Sequence, residues 1–246
     1  MSAISDLIVA ALLISLRIAP VFAFAPPFTL LRTPASVRLI LSLSLALWLA
    51  AVRPIETPPA EAMASVIAGE LGIGIAFALA LQIVFGALMT VGRALDIQVG
   101  FGLAQVADPT LRTQMPLVGA LFSYAAAAVF FSTGASSDLV AIFARSLEET
   151  PLGGPYAISL EAILSHLYSS FILAAGLGAA AFLTIFLVDI TIALMSRTLP
   201  QMNVLVLGFQ VKVIALLLTL PIVFALSGAL FLRLVRLALD AMPGFI

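Results

Sequence analysis

A chain of 246 residues that is 63% hydrophobic and only 9% charged does not fold as a water-soluble globule, whose sequence is about half apolar and one quarter charged. Eleven basic residues stand against twelve acidic ones, for a formal net charge of −1, which excludes the basic surface of a nucleic-acid binder and the charge excess of a disordered chain. The solvent such a composition fits is the bilayer, and the fold class it predicts is all-α: a polytopic membrane protein with about six hydrophobic segments.

In chain order, a helix crossing the hydrocarbon core needs about 20 apolar residues. Residues 7–28 are long enough but hold Arg17 and Pro20, and residues 34–52 carry Arg38 near one end. Residues 71–92, 113–137, 162–188 and 213–232 have no charged residue and read as the strongest spans. The last contains Pro221, which removes a backbone donor and kinks or breaks a helix, so a division there would give a seventh segment. The N-terminal stretch lacks the positive region of a signal peptide, its first charge being Asp6, and Arg17 interrupts its apolar run. It therefore reads as retained, although Ala23-Phe24-Ala25 has the pattern of a cleavage site. Loop charges favour an outside N-terminus by only one or two residues, a weak bias for a simple serpentine.

Four pairs of charges lie at helical spacing and read as solvated and mutually neutralising: Arg93 with Asp96, Asp108 with Arg112, Arg145 with Glu149, and Arg236 with Asp240. Four others, Arg17, Glu70, Asp189 and Lys212, sit in apolar sequence without such a neighbour. A charge at the centre of a span costs at least about 2.5 kcal/mol, so each needs a partner, water, or a route to the interface. Arg17 and Glu70 read equally well as side chains reaching the interface from helix ends. Asp189 and Lys212 flank Pro200 and meet if the break there is a hairpin turn. His166, beside Tyr168, reads as an interfacial anchor.

Catalytic chemistry is not visible. Cysteine is absent and His166 is the single histidine, so zinc constellations lack ligands. No two glycines are four apart, which removes both the G-x-S-x-G elbow and the G-x-x-x-G packing motif. Lys212, the sole lysine, has no phosphate-loop context, and Gly100-Phe101-Gly102 lacks the third glycine of a dinucleotide loop. We therefore expect no enzyme, no cofactor and no metal.

Two segments are more specified than a loop requires. Residues 92–109 are glycine-punctuated and partly polar between strong apolar helices, as in a cytoplasmic loop or in a re-entrant segment that is buried or lines a cavity. Ser196-Arg197-Thr198-Leu199-Pro200-Gln201-Met202-Asn203 places a cation and two amides on a proline turn, which suits a locked helix hairpin or a contact with a neighbouring subunit.

Arg197-x-x-Pro200-Gln201-x-Asn203, followed by Gly208-Phe209 and Lys212, resembles the signature of the FliR/SctT export-gate proteins of type III secretion. The similarity extends to Gln98-x-Gly100-Phe101 with Asp108-Pro109, to Pro26-x-Phe28 and Pro34-x-x-x-Arg38, and to Ser146 with Pro151, and so covers nearly the whole chain. One departure is Thr133-Gly134-Ala135-Ser136-Ser137, where members often carry Asn-Gly-His-His, so no role of those histidines transfers.

The resemblance implies helical hairpins in which residues 1–161 are similar to a FliP-type unit, with a plug loop near 100–116, and residues 162–246 to a FliQ-type hairpin. It implies a non-enzymatic flagellar subunit that joins FliP- and FliQ-type subunits, next to FlhB- and FlhA-type components, in the basal body of the bacterial inner membrane. There it would pass unfolded proteins, with membrane lipid around it and no nucleic acid. It assigns the plug to Gly100, Phe101, Gly102, Leu103, Asp108, Pro109 and Met115, and an assembly lock to Asp189, Arg197, Pro200, Gln201, Asn203 and Lys212. The other readings are an injectisome subunit of the same family and a small-molecule secondary transporter, whose broken helices and midplane charges look alike.

Overall fold

The computed structural model describes residues 2–31, 33–52, 58–101, 116–198 and 204–246. All long elements among them are helices: α1 Ser2–Phe24, α2 Ala35–Val52, α3 Met63–Val99, α4 Leu117–Ser132, α5 Ala135–Glu149, α6 Leu160–Thr198, α7 Val204–Leu226 and α8 Gly228–Ala241. Five are long and apolar enough to cross a membrane, or six if α4 and α5 count as one bent span. The all-α polytopic expectation holds.

The apolar core forms around α3, which packs against α1, α4, α6 and α8. At 1.5 Å per residue its 37 residues run about 55 Å, and the 39 of α6 slightly further. Both exceed the roughly 30 Å of a hydrocarbon core, so parts of each lie outside it or cross it at a steep tilt. Phe122 of α4 meets Phe224 of α7 and Phe231 of α8 at ring-centroid distances of 5.7 and 6.3 Å, joining three helices at one aromatic contact.

Small residues set the closest approaches. A Cβ at Gly74 would stand 2.6 Å from the carbonyl oxygens of Leu16 and Arg17, and one at Gly92 would stand 2.1 Å from the Gly119 nitrogen. The α1–α3 and α3–α4 crossings are therefore backbone-to-backbone. The absence of a G-x-x-x-G repeat does not prevent this: in the tighter crossing, each helix supplies one glycine.

Two expectations need correction. The proposed span over 113–137 is broken, because the chain bends by 72° between α4 and α5. Gly134, with φ +80°, makes the turn. The tail of the last apolar segment is not divided at Pro221, which lies inside α7; the break comes at Ser227, before α8. The reason is in the pattern beyond it. Phe231, Leu234, Val235, Ala238 and Leu239 form one buried stripe while Arg233, Arg236 and Asp240 face out. Such an amphipathic helix folds back on the core and cannot continue a uniformly apolar span.

Arg38, the charge near the start of α2, closes the other end of α1. Its Nη1 donates to the Ala23 carbonyl at 2.5 Å and to that of Phe22 at 3.4 Å. A cation on the last carbonyls of a helix meets both their missing donors and the negative end of the helix dipole.

Candidate functional site

The first of the two segments singled out by sequence begins at the end of α3, against α7, the helix that follows the second. α3 ends where Gly100 adopts φ +94°. The amides of Gly100 and Phe101 donate back to the Asp96 carbonyl at 3.1 and 2.9 Å, the six-to-one closure that a left-handed glycine permits. Over this turn lies Phe209 of α7, so close that a Cβ on Gly100 would stand 2.6 Å from its ring. Gly100 is therefore required twice, by its backbone angle and by the neighbouring ring. Gly100 and Phe209, more than 100 residues apart, are in contact.

Asp96 ties the other side of the same site. α4 begins after Pro116, which has no side chain able to cap the helix. The first amides of a helix lack intrahelical acceptors. The carboxylate of Asp96 supplies one from outside, its two oxygens accepting from Val118 N at 3.2 and 3.3 Å. The negative charge also sits at the positive end of the α4 dipole. Asp96 thus holds the ends of α3 and α4 together through its carbonyl and its carboxylate. The Arg93–Asp96 reading is corrected here: Asp96 is 5% exposed, within the protein, while Arg93 faces outward.

One turn beyond Phe209, Lys212 Nζ lies 2.5 Å from Asp189 Oδ1. The α6–α7 hairpin joins these two apolar-sequence charges, at 18% and 37% side-chain exposure. Between this pair and the ring contact, Gly208 faces Ile192. Arg197 is exposed in the last turn of α6, where a cation complements the helix dipole. Pro200, Gln201 and Asn203 lie outside the described residues, as do Gly102, Leu103, Asp108, Pro109 and Met115, and the Asp108–Arg112 pair.

The remaining charges pair in a way that spacing alone does not reveal. Arg17 and Glu70 are 53 residues apart. Arg17 Nε lies 2.6 Å from Glu70 Oε2, and Nη2 lies 2.9 Å from Oε1. The same guanidinium donates to the carbonyls of Ser146 at 2.8 Å and Thr150 at 3.0 Å. Neither reaches the interface as a helix-end side chain, for Arg17 is 0% and Glu70 2% exposed. Forked planar pairing of this kind is the strong geometry for an arginine and a carboxylate. His166 is also buried, which corrects its reading as an interfacial anchor. Its Nε2 lies 2.9 Å from the Ala80 carbonyl and its ring packs edge-on against Phe245.

The arrangement offers no nucleophile–base pair, and no group of three metal-ligating side chains occurs among the described residues. What it can do is mechanical: hold the ends of α3 and α4 together, with the end of α3 against α7.

The comparisons with known proteins agree in kind. The family described as bacterial export proteins, family 1, matches residues 8–238. The flagellar biosynthetic protein FliR of Bacillus subtilis is 28% identical over 247 residues, covering 94% of this chain and 93% of that protein. FliR of Aquifex aeolicus is 30% identical over 160 residues, 63% of this chain and 62% of the relative, so the match spans under two thirds of that protein. The Yop proteins translocation protein T of Yersinia pestis is 29% identical over 147 residues, 58% of this chain and 56% of its own length.

Proposed function

The chain belongs to the FliR/SctT family of export-apparatus proteins, matched from residue 8 to residue 238, and on that premise we propose that it is a non-enzymatic subunit of the flagellar type III protein export gate. In this reading it joins FliP- and FliQ-type subunits, beside FlhB- and FlhA-type components, around a pore that passes unfolded flagellar proteins across the inner membrane at the basal body. The observation that carries the reading is the near end-to-end similarity to a flagellar biosynthetic protein.

The shape of the chain supports it. The α6–α7 hairpin is apolar, yet few residues of its most apolar stretches are buried against the rest of the chain. Lipid alone would satisfy such a surface, but not the ion pair Asp189–Lys212 within it, which is better sheltered by neighbouring helices. We read the chain as a FliP-type part, residues 1–161, and a FliQ-type part, residues 162–246, whose α6–α7 hairpin docks on α3 chiefly through α6. α8, numbered with the second part, nevertheless packs back on α3, α4 and α5.

The test is purification of the tagged chain from cells expressing the whole apparatus. FliP- and FliQ-type subunits should co-purify; a chain recovered only alone or as a homo-oligomer would defeat the proposal. In the same preparation, Lys212→Glu should remain in the membrane fraction yet lose most of the co-purified subunits, with Asp189→Lys restoring them. Arg197→Glu should act in the same direction.

We further propose that the chain from Gly100 to Pro116 closes the resting pore, with Phe101, Leu103 and Met115 as its seal. Asp96 and Phe209 are then the fixed points from which that segment is held. Deleting residues 100–107 should make cells permeable to small solutes while the gate still assembles. Unchanged permeability in an assembled gate would end the plug assignment.

An injectisome role is the second reading, favoured by the similarity to the Yersinia protein and to the secretion system apparatus protein SsaT of Salmonella typhimurium, 26% identical over 161 residues. Deleting the gene separates the two: loss of motility supports the flagellar reading, and loss of effector secretion with intact motility supports the other.

A further inference from the structure

We propose that the cleft between the start of α6 and the end of α8 receives a cationic side chain, lysine or arginine, from a neighbouring subunit of the assembly. The inference rests on the export-gate reading and names one contact that the gate would make.

The cleft has a volume of about 270 Å³ and is lined by Ser165, His166, Ser169, Asp240 and Phe245 among others. His166 sets its chemistry. The Ala80 carbonyl can only accept, so the ring nitrogen 2.9 Å from it, Nε2, carries the hydrogen. In the neutral ring Nδ1 then bears a lone pair. This nitrogen is buried and has no partner among the described residues, in a side chain 4% exposed. A buried acceptor left unpaired carries a desolvation penalty that a donor reaching it would remove.

The rest of the cleft asks for the same kind of donor. Asp240 contributes a carboxylate and Ser165 and Ser169 contribute hydroxyl oxygens. Glu161 lies one helical turn before Ser165 on α6, also exposed. α8 ends beside the cleft at Ala241, bringing the negative end of its dipole to the opening. Arg236 does not line this cleft, although Asp240 also borders a second cleft, which Arg236 shares with Asp138 and Arg145 of α5. An acceptor-rich pocket with an apolar floor at Phe245 suits a long aliphatic stem ending in an ammonium or guanidinium. A lipid ammonium head group would bring its phosphate against Asp240 and Glu161, a like-charge contact that disfavours it.

The test uses the full chain in the assembled apparatus, with the photo-crosslinker p-benzoylphenylalanine at Ser165. The expected product joins this chain to a different subunit, within a few residues of a lysine or arginine. Asp240→Asn, a change at an exposed position, should lower its yield about fivefold or more. His166→Phe, which keeps the ring packing on Phe245, should lower it likewise. Reversing both charges, Asp240→Lys here and the mapped cation to aspartate there, should restore it. Crosslinks confined to lipid, to a segment without a basic residue, or unaffected by both substitutions would overturn the proposal. If dissimilar subunits co-purify but no such crosslink forms, the cation site fails and the gate reading stands; if none co-purify, the gate reading itself has failed.

Discussion

Replacing Glu70 by alanine is expected to destabilise the protein by about 3–5 kcal/mol, seen as a marked drop in the thermal transition of the purified chain and in its accumulation in membranes. The size follows from burial. Arg17 is 0% exposed and donates from three nitrogens, two of them to Glu70. Without the carboxylate a guanidinium remains inside the protein with the Ser146 and Thr150 carbonyls and the Ser146 hydroxyl as its acceptors, none of them charged, and a buried charge without its counter-ion carries a penalty of this order. The cation cannot retreat to water, because the backbone of Arg17 is held against Gly74 of α3. Arg17→Met together with Glu70→Leu should recover most of the loss, since well-packed apolar replacements of a buried pair are often neutral. A single Glu70→Ala variant that melts with the native protein would mean that water reaches Arg17, and the pair would then be no structural pin.

That pin also shows what a linear sequence conceals. Arg17 and Glu70 each violate the apolar rule for spans, which marked them both, but nothing in spacing links positions 53 apart. Asp189 and Lys212 differ because the Pro200 break between them announces a hairpin, and a hairpin brings its two arms into register. Asp96 was misread for a related reason. Arg93 at three residues' distance offered a local partner, whereas the stronger demand came from α4, whose N-terminal amides follow a proline without a capping side chain. That demand is visible in the sequence at Pro116; which residue answers it is not. The helices themselves were legible from hydropathy, since long uncharged stretches have few alternatives in lipid. Their ends were not. Pro221 was a reasonable place for a break, but α7 runs through it to Leu226, and the amphipathic stripe that begins near Phe231 decides where the chain turns.

Gly92→Ala is expected to be more damaging than its single added methyl suggests. The new Cβ would lie 2.1 Å from the nitrogen and 2.2 Å from the Cα of Gly119, and both belong to a helix backbone that cannot rotate away as a side chain does. α4 must move off α3 by more than an ångström to restore ordinary contact. Overpacking of a well-filled core costs about 1–3 kcal/mol and occasionally more, and here the displacement also draws Val118 from Asp96, one turn along α3. The loss should therefore appear as a lower thermal transition of the purified chain and as lower accumulation in membranes. Gly86→Ala on the same helix is the control, because nothing lies within 4 Å of its Cβ; it should be neutral or stabilise by up to about 1 kcal/mol through helix propensity. Gly119→Ala should fall between the two, its Cβ meeting the Met89 carbonyl at 2.9 Å. An order in which Gly92→Ala and Gly86→Ala behave alike would show that α3 and α4 do not touch backbone to backbone. Asp96 would then lose the close approach that lets it hold two helix ends at once.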